Sequence, residues 1–176
     1  MRKKLPNLFI VAGDGRNSGK TSMVCRIIGQ FRESEIVSVK ISPHFHEPSA
    51  GLLLLESDDG YNIFGESSLW SAKDTSRMLQ SGADKVFYAQ VTETSTHIAF
   101  ERVLDHISAG KPIVVESPAL IRYFDPGAFV IMRGSEKPDK EISEIEKFPH
   151  VSYTIEELDR TERLPVLLSE DGWRIR

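Results

Sequence analysis

Apolar residues along this chain fall into short runs and spaced sets that change period several times. The run Leu8-Phe9-Ile10-Val11-Ala12 is continuous and apolar, which predicts a strand buried on both faces. Val24, Ile27, Ile28 and Phe31 then recur at the spacing of one helical face, so a helix is expected to lie on a sheet. Ile36 to Lys40 reads as a second strand, ending in a lysine. Lys85 to Val91 has the aromatic and β-branched content of another, and Asp74 is a plausible N-cap for a short helix before it, closed by Gly82. Phe100, Val103, Leu104 and Ile107 repeat the helical spacing, with Gly110 as its C-terminal cap.

Pro112 to Glu116 is a short apolar strand that stops on a carboxylate, and Phe129 to Met132 is a further buried strand. Ile142 and Ile145 mark a short amphipathic helix. Thr154 and Glu157 stand at capping-box spacing, and Asp171-Gly172 suggests a turn. Strands near 8, 37, 88, 114 and 130, mostly separated by helices, predict an α/β fold: a mostly parallel sheet with helices on both faces. One domain spanning 1–176 is expected.

Residues 41–70 break this rhythm. They contain Pro43, His44, His46 and Pro48, then a hairpin from about Leu52 to Phe64 turning at Asp58-Asp59-Gly60. The stretch is expected to be an insertion or a mobile flap, on the same face as the loop that carries the chemistry. Leu52 to Leu55 need cover on both sides; a strand buried within the same domain is preferred over a partner surface.

The stretch that carries chemistry is Gly13-Asp14-Gly15-Arg16-Asn17-Ser18-Gly19-Lys20-Thr21-Ser22, placed between the first strand and the first helix. Gly13, Gly15 and Gly19 let the backbone curl with its N–H groups inward around a polyphosphate, and Arg16, Asn17, Ser18 and Ser22 complete the cradle. Lys20 would reach the β- and γ-phosphates, and the Thr21 hydroxyl would sit where a Mg²⁺ ligand is needed. The usual pattern has four residues between its two glycines, and Asp14 occupies the position where the first would fall. An ordinary glycine-rich turn would explain the glycines but not Lys20-Thr21 at the helix entrance.

Glu116, ending its strand, is placed to hold Mg²⁺ or to polarise an attacking group, and Lys20 with Glu116 form the candidate catalytic pair. Lys40, His44 and Asp74 are candidate substrate or phosphate contacts; Asp74 reads as a helix cap first. His44 and His46 share a face of an extended segment, but no cysteine accompanies them at ligand spacing. No guanine-reading Asn-Lys-x-Asp stretch occurs, so Arg133 to Lys140 is the candidate for base contact, with ATP and GTP left open.

Composition narrows the classes. The chain has 176 residues, 40% hydrophobic and 27% charged, as expected of an ordinary globule. A net charge of −4 argues against nucleic acid held by a broad basic surface; only Arg2-Lys3-Lys4 is locally basic. The first apolar run is too short for a secretory leader and no segment approaches membrane-spanning length. The single cysteine, Cys25, falls inside the first helix, is expected to be inert, and fits a reduced cytoplasmic setting.

In order, these features resemble the molybdopterin-guanine dinucleotide biosynthesis protein B family: the loop, a strand ending in Lys40 with His44 soon after, Lys73 to Arg77 leading to Ser81-Gly82-Ala83, and a strand ending in Glu116. The similarity covers roughly residues 7 to 133. It implies a P-loop NTPase fold related to dethiobiotin synthetase, binding of GTP, assistance to guanylation of the molybdenum cofactor, a cofactor-biosynthesis protein partner and a homodimer. The extra residue between Gly13 and Gly19 looks more like dethiobiotin synthetase or the cobyrinic acid amidating enzymes, a resemblance that implies as the alternative an ATP-dependent ligase or kinase activating a carboxylate. A third reading is a non-catalytic module whose binding to a partner through 41–70 is switched by nucleotide.

Overall fold

Leu8 to Ala12 are fully buried because they form the inner half of β1 (Lys3–Gly13), which has a parallel neighbour on each edge. A strand paired on both edges and covered on both faces needs an unbroken apolar run rather than alternation. The structure, a computed structural model, describes residues 1–134 and 142–176. After β1 come α1 (Lys20–Gln30), β2 (Val37–Ser42), β3 (Leu52–Asp58), β4 (Tyr61–Glu66), α2 (Asp74–Gln80) and β5 (Lys85–Val91). The chain continues through α3 (Thr96–Asp105), β6 (Ile113–Glu116), β7 (Phe124–Arg133), α4 (Ile142–Ile145), β8 (Val151–Thr154), α5 (Ile155–Arg160), β9 (Val166–Ser169) and β10 (Gly172–Ile175).

Among the described residues, eight strands make one sheet in the order β3-β4-β5-β2-β6-β1-β7-β8, parallel from β5 to β8 and antiparallel at β3-β4-β5. The fold is therefore α/β, with a large, mostly parallel mixed sheet flanked by helices. One face packs Met23, Val24 and Ile27 of α1, Met78 of α2 and Leu158 of α5 on Phe9 and Val11. The other packs Phe100 and Val103 of α3 and Ile145 of α4 on Leu8 and Ile10. From β1 the chain crosses to β2 on one side, while the connection leaving β6 passes β1 to reach β7 on the other. The carboxyl end of β1 thus lies at a switch point, where open α/β sheets leave a crevice.

The expected hairpin is present, with Asp58 opposite Tyr61 and Gly60 at φ 89° in its turn. It is not a flap: β4 pairs along β5 from Tyr61↔Val91 to Gly65↔Phe87, so the hairpin extends the sheet. The expectation that the leucines are buried within the domain is also overturned. Leu53, Leu54 and Leu55 are 59%, 59% and 47% exposed. The reason is position: α2 and α3 pack on β4 and β5, whereas β3 lies beyond them at the end of the sheet. An irregularity between Leu54 and Glu56 leaves Leu55 as an extra residue against β4, a bulge of the kind that disrupts an edge.

Other expectations shift at their ends. Phe31 caps α1 from outside the helix, and α3 stops at Asp105, so Ile107 packs on the core from the following turn rather than from the helix. The capping box at Thr154 and Glu157 is made by both bonds, 3.2 Å and 2.8 Å. The Asp171-Gly172 turn joins β9 to β10, a hairpin that carries Trp173 into the core.

Candidate functional site

β1 ends at Gly13, and its direction delivers residues 14–19 to the crevice before α1 begins at Lys20. Gly15, Asn17 and Gly19 all have positive φ, at 151°, 61° and 91°. Left-handed residues alternating with ordinary ones give a backbone that curves into a concave nest. Ser18 closes the curve by donating its hydroxyl to Gly15 O at 3.1 Å. Lys20 turns back over the loop, donating to Gly15 O and, at 3.4 Å, to Ser18 Oγ.

Asp14 explains the loop's unusual spacing. Its backbone N–H donates to Met132 O at 3.0 Å, and its carboxylate accepts from the Gly134 N–H at 3.1 Å. The side chain is buried and ties the start of the loop to the end of β7. Gly13 must stay small, because a Cβ there would meet Ser18 Oγ at 2.2 Å.

The Thr21 hydroxyl, on the first turn of α1, donates to Glu116 Oε2 at 2.7 Å. Glu116 Oε1 accepts from Lys40 Nζ at 3.1 Å, and Lys40 also donates to Asp74 Oδ2. Register accounts for this meeting of distant residues: β6 lies between β1 and β2, pairing Glu116 with Val11 on one side and Lys40 on the other. Burial opposes the charge on Lys40, but the carboxylates of Glu116 and Asp74 outweigh it and raise its pKa above the ordinary lysine value. Burial likewise opposes the charge on Asp74, and the hydrogen bond and charge of Lys40, helped by Arg77, lower its pKa.

Asp74 is not the helix cap its sequence suggested. It is the first residue of α2, after Lys73 at the N-cap position, and no side-chain cap bond is formed. Its carboxylate is committed to Lys40 and, at 3.7 Å, to Arg77. Arg77 also approaches Ser22 Oγ at 3.4 Å, linking α2 to α1.

Together these groups line a cavity of about 850 Å³, within the range of small-molecule sites. Gly13, Gly15, Arg16, Asn17, Ser18, Gly19, Lys20, Thr21, Ser22, Lys40, His44, Asp74 and Glu116 all border it, so the candidate phosphate, metal and catalytic residues are brought to one place. His44 and His46 lie with ring centroids 5.8 Å apart, both exposed. Among the described residues, no group of three or more His, Cys, Asp or Glu is arranged to hold a metal. Cys25 is half-buried and burial raises its pKa, consistent with an inert thiol.

Arg77 and Ile155 are among the wall residues to which the sequence reading gave no chemical role. Arg77 could have been found three positions after Asp74 on a helix. Ile155 could not, because it follows β8, a four-residue strand too short to stand out, and its side chain closes over Gly19. Arg133, a candidate for base contact, pairs instead with Glu146 at 2.5 Å and donates to Ser152 at 3.3 Å. Residues 135–140 of that stretch lie outside the described residues.

Comparison of the chain with protein-family models, with curated proteins and with solved structures gave no match.

Proposed function

We propose that this chain has a P-loop NTPase fold and binds a purine nucleoside triphosphate, GTP or ATP, with Mg²⁺ in the cavity beyond β1. It is a slow NTPase that assists molybdenum-cofactor (molybdopterin guanine dinucleotide) biosynthesis in the cytoplasm, as its resemblance to the protein B family of that process implies. The observation that carries the nucleotide reading is the pairing of a left-handed loop and Lys20 with the Thr21–Glu116 hydrogen bond inside one cavity. A glycine-rich turn without a ligand has no need of a lysine folded over it or of a hydroxyl fixed to a strand-end carboxylate.

Roles follow from the positions. The loop N–H groups and the positive end of α1 hold the phosphates, and Lys20 moves from Gly15 O to the β- and γ-oxygens. Thr21 and Glu116 are hard oxygen donors side by side, the chemistry that Mg²⁺ selects, and they would hold the ion together with the phosphates. When bound, Mg²⁺ neutralises charge developing on the phosphates. Arg16, exposed at the rim, is free to turn toward the phosphates or a neighbouring subunit.

Calorimetric titration of GTP and ATP with and without Mg²⁺ tests this reading. Lys20→Ala removes charge-assisted bonds of about 1.5–3 kcal/mol and should weaken binding roughly ten- to hundredfold. No binding of either nucleotide, or an unchanged affinity in Lys20→Ala, would end the proposal.

One observation favours the ligase or kinase reading as a second choice. A cavity of about 250 Å³, bordered by His46, Lys73 and Tyr88, shares Lys40 and Asp74 with the larger one. It offers room for a second substrate beside the terminal phosphate. A panel of small carboxylates and amines, none of which increased ADP formation, would count against it.

A further inference from the structure

Lys40 Nζ stands on two carboxylates at once, 3.1 Å from Glu116 Oε1 and hydrogen-bonded to Asp74 Oδ2. The other oxygen of Glu116 holds the Thr21 hydroxyl, whose oxygen keeps a lone pair for another partner. Two carboxylates and a hydroxyl gathered around one positive charge are also the donors that a hard divalent cation takes. Glu116 is buried, so it needs a cation beside it whenever the protein is folded. An ammonium and a divalent ion cannot both occupy this partly desolvated place without strong repulsion. Lys40 has somewhere else to go: its four-carbon stem is flexible and it borders both cavities.

We propose that Lys40 is an internal substitute for the divalent cation, filling the space between Asp74 and Glu116 in the nucleotide-free protein and leaving it when the metal enters. The metal then binds well only when a polyphosphate gives the displaced ammonium a new anionic partner. This last step rests on the nucleotide reading above; the competition between Lys40 and the ion does not. Lys40 is on this account a positioning residue that holds Glu116 aimed at Thr21.

The test is Mn²⁺ binding to the full chain, measured by electron paramagnetic resonance without nucleotide. Lys40→Met and Lys40→Gln should each bind Mn²⁺ at least about tenfold more tightly than wild type, as removal of a unit charge at contact range requires. Lys40→Arg should stay as weak as wild type, and adding Glu116→Gln to Lys40→Met should remove the gain. The wild-type chain gives a measurement independent of variant folding: Mn²⁺ should increase reductive methylation of Lys40, read by mass spectrometry. Neutral variants that bind Mn²⁺ no better than wild type, or a methylation rate insensitive to Mn²⁺, would overturn the proposal. Nucleotide titrations in parallel separate the two ideas. A gain in Mn²⁺ affinity with no nucleotide binding keeps this inference and removes the functional reading; nucleotide binding without the gain does the reverse.

Discussion

The Thr21 hydroxyl and Glu116 Oε2 are 2.7 Å apart, joining the first turn of α1 to the last residue of β6 across 95 positions of sequence. The bond is buried, and its acceptor also serves Lys40 through the second carboxylate oxygen. Glu116 is thereby an acceptor on both oxygens, which an amide cannot reproduce because one of its two positions is a donor. Glu116→Gln should leave nucleotide affinity without metal unchanged and reduce the gain from Mg²⁺ about ten- to hundredfold, the usual range for groups that hold or orient a metal. Calorimetry with and without Mg²⁺ reads both quantities, and an undiminished Mg²⁺ effect would remove Glu116 from the site.

Two glycines, Gly13 at the end of β1 and Gly29 in α1, should respond oppositely to the same change. Gly13→Ala would put a Cβ 2.2 Å from Ser18 Oγ and 2.7 Å from Lys20 Cγ, so the loop has to shift. A loss of about 1–3 kcal/mol in stability is expected, with nucleotide affinity lost as well. Gly29→Ala, on the exposed side of α1 with nothing within 4 Å, should stabilise by about 0.5–1 kcal/mol and leave binding intact. Denaturant unfolding of both variants decides the matter; equal effects would mean that the packing around Gly13 does not constrain the loop.

The ion cluster sets a pH window. Asp74 has a lowered pKa in the folded chain, so its contribution to stability is complete above the ordinary value of 3.8 and is lost as pH falls through the lowered one. Lys40 has a raised pKa, so its contribution is complete below the ordinary value of 10.5 and is lost as pH rises through the raised one. Thermal midpoints should therefore fall at both extremes, and Asp74→Asn should flatten the acid limb below pH 3.8. An acid limb of the same steepness in Asp74→Asn would show that the Lys40–Asp74 pair carries no pH-dependent stability.

Local chemistry made much of this legible. Residues 8 to 22 announce strand, loop and helix in order, because each uses a different residue vocabulary within a few positions. Lys40 and Glu116 were readable as strand-end residues, yet their contact was not, since it depends on β6 inserting between β1 and β2, which no local pattern encodes. Asp74 shows the same limit: an acid at a helix start reads as a cap until the neighbouring strand supplies a lysine. The leucines of β3 misled because an apolar run says that cover is favourable, not that the chain provides it.

Those leucines lead to a further expectation. Leu53→Ser and Leu54→Ser remove side chains that are already mostly in water, so each should change unfolding stability by no more than about 0.5 kcal/mol. In the homodimer that the family resemblance implies, this edge is where burial would gain most. If sedimentation shows the wild type to associate, the double variant should be monomeric at the same concentration. Association unaffected by both substitutions would place the interface elsewhere.

Trp173 offers the sharpest test of how the C-terminal hairpin is held. Its ring is fully buried, edge-on to Phe9 of β1 at 5.4 Å and to Phe31 after α1 at 5.2 Å. Trp173→Ala should cost about 3–5 kcal/mol, because the surrounding strand and helix cannot close over the space. The indole N–H has no hydrogen-bond partner among the described residues, so it adds nothing but a desolvation cost. Trp173→Phe keeps the ring contacts with Phe9 and Phe31, sheds that cost, and should therefore lose much less than Trp173→Ala. The only other tryptophan, Trp70, is 93% exposed, so the blue-shifted part of the emission reports Trp173 in the wild type. A Trp173→Phe variant as unstable as Trp173→Ala would mean that the indole N–H makes a bond worth keeping.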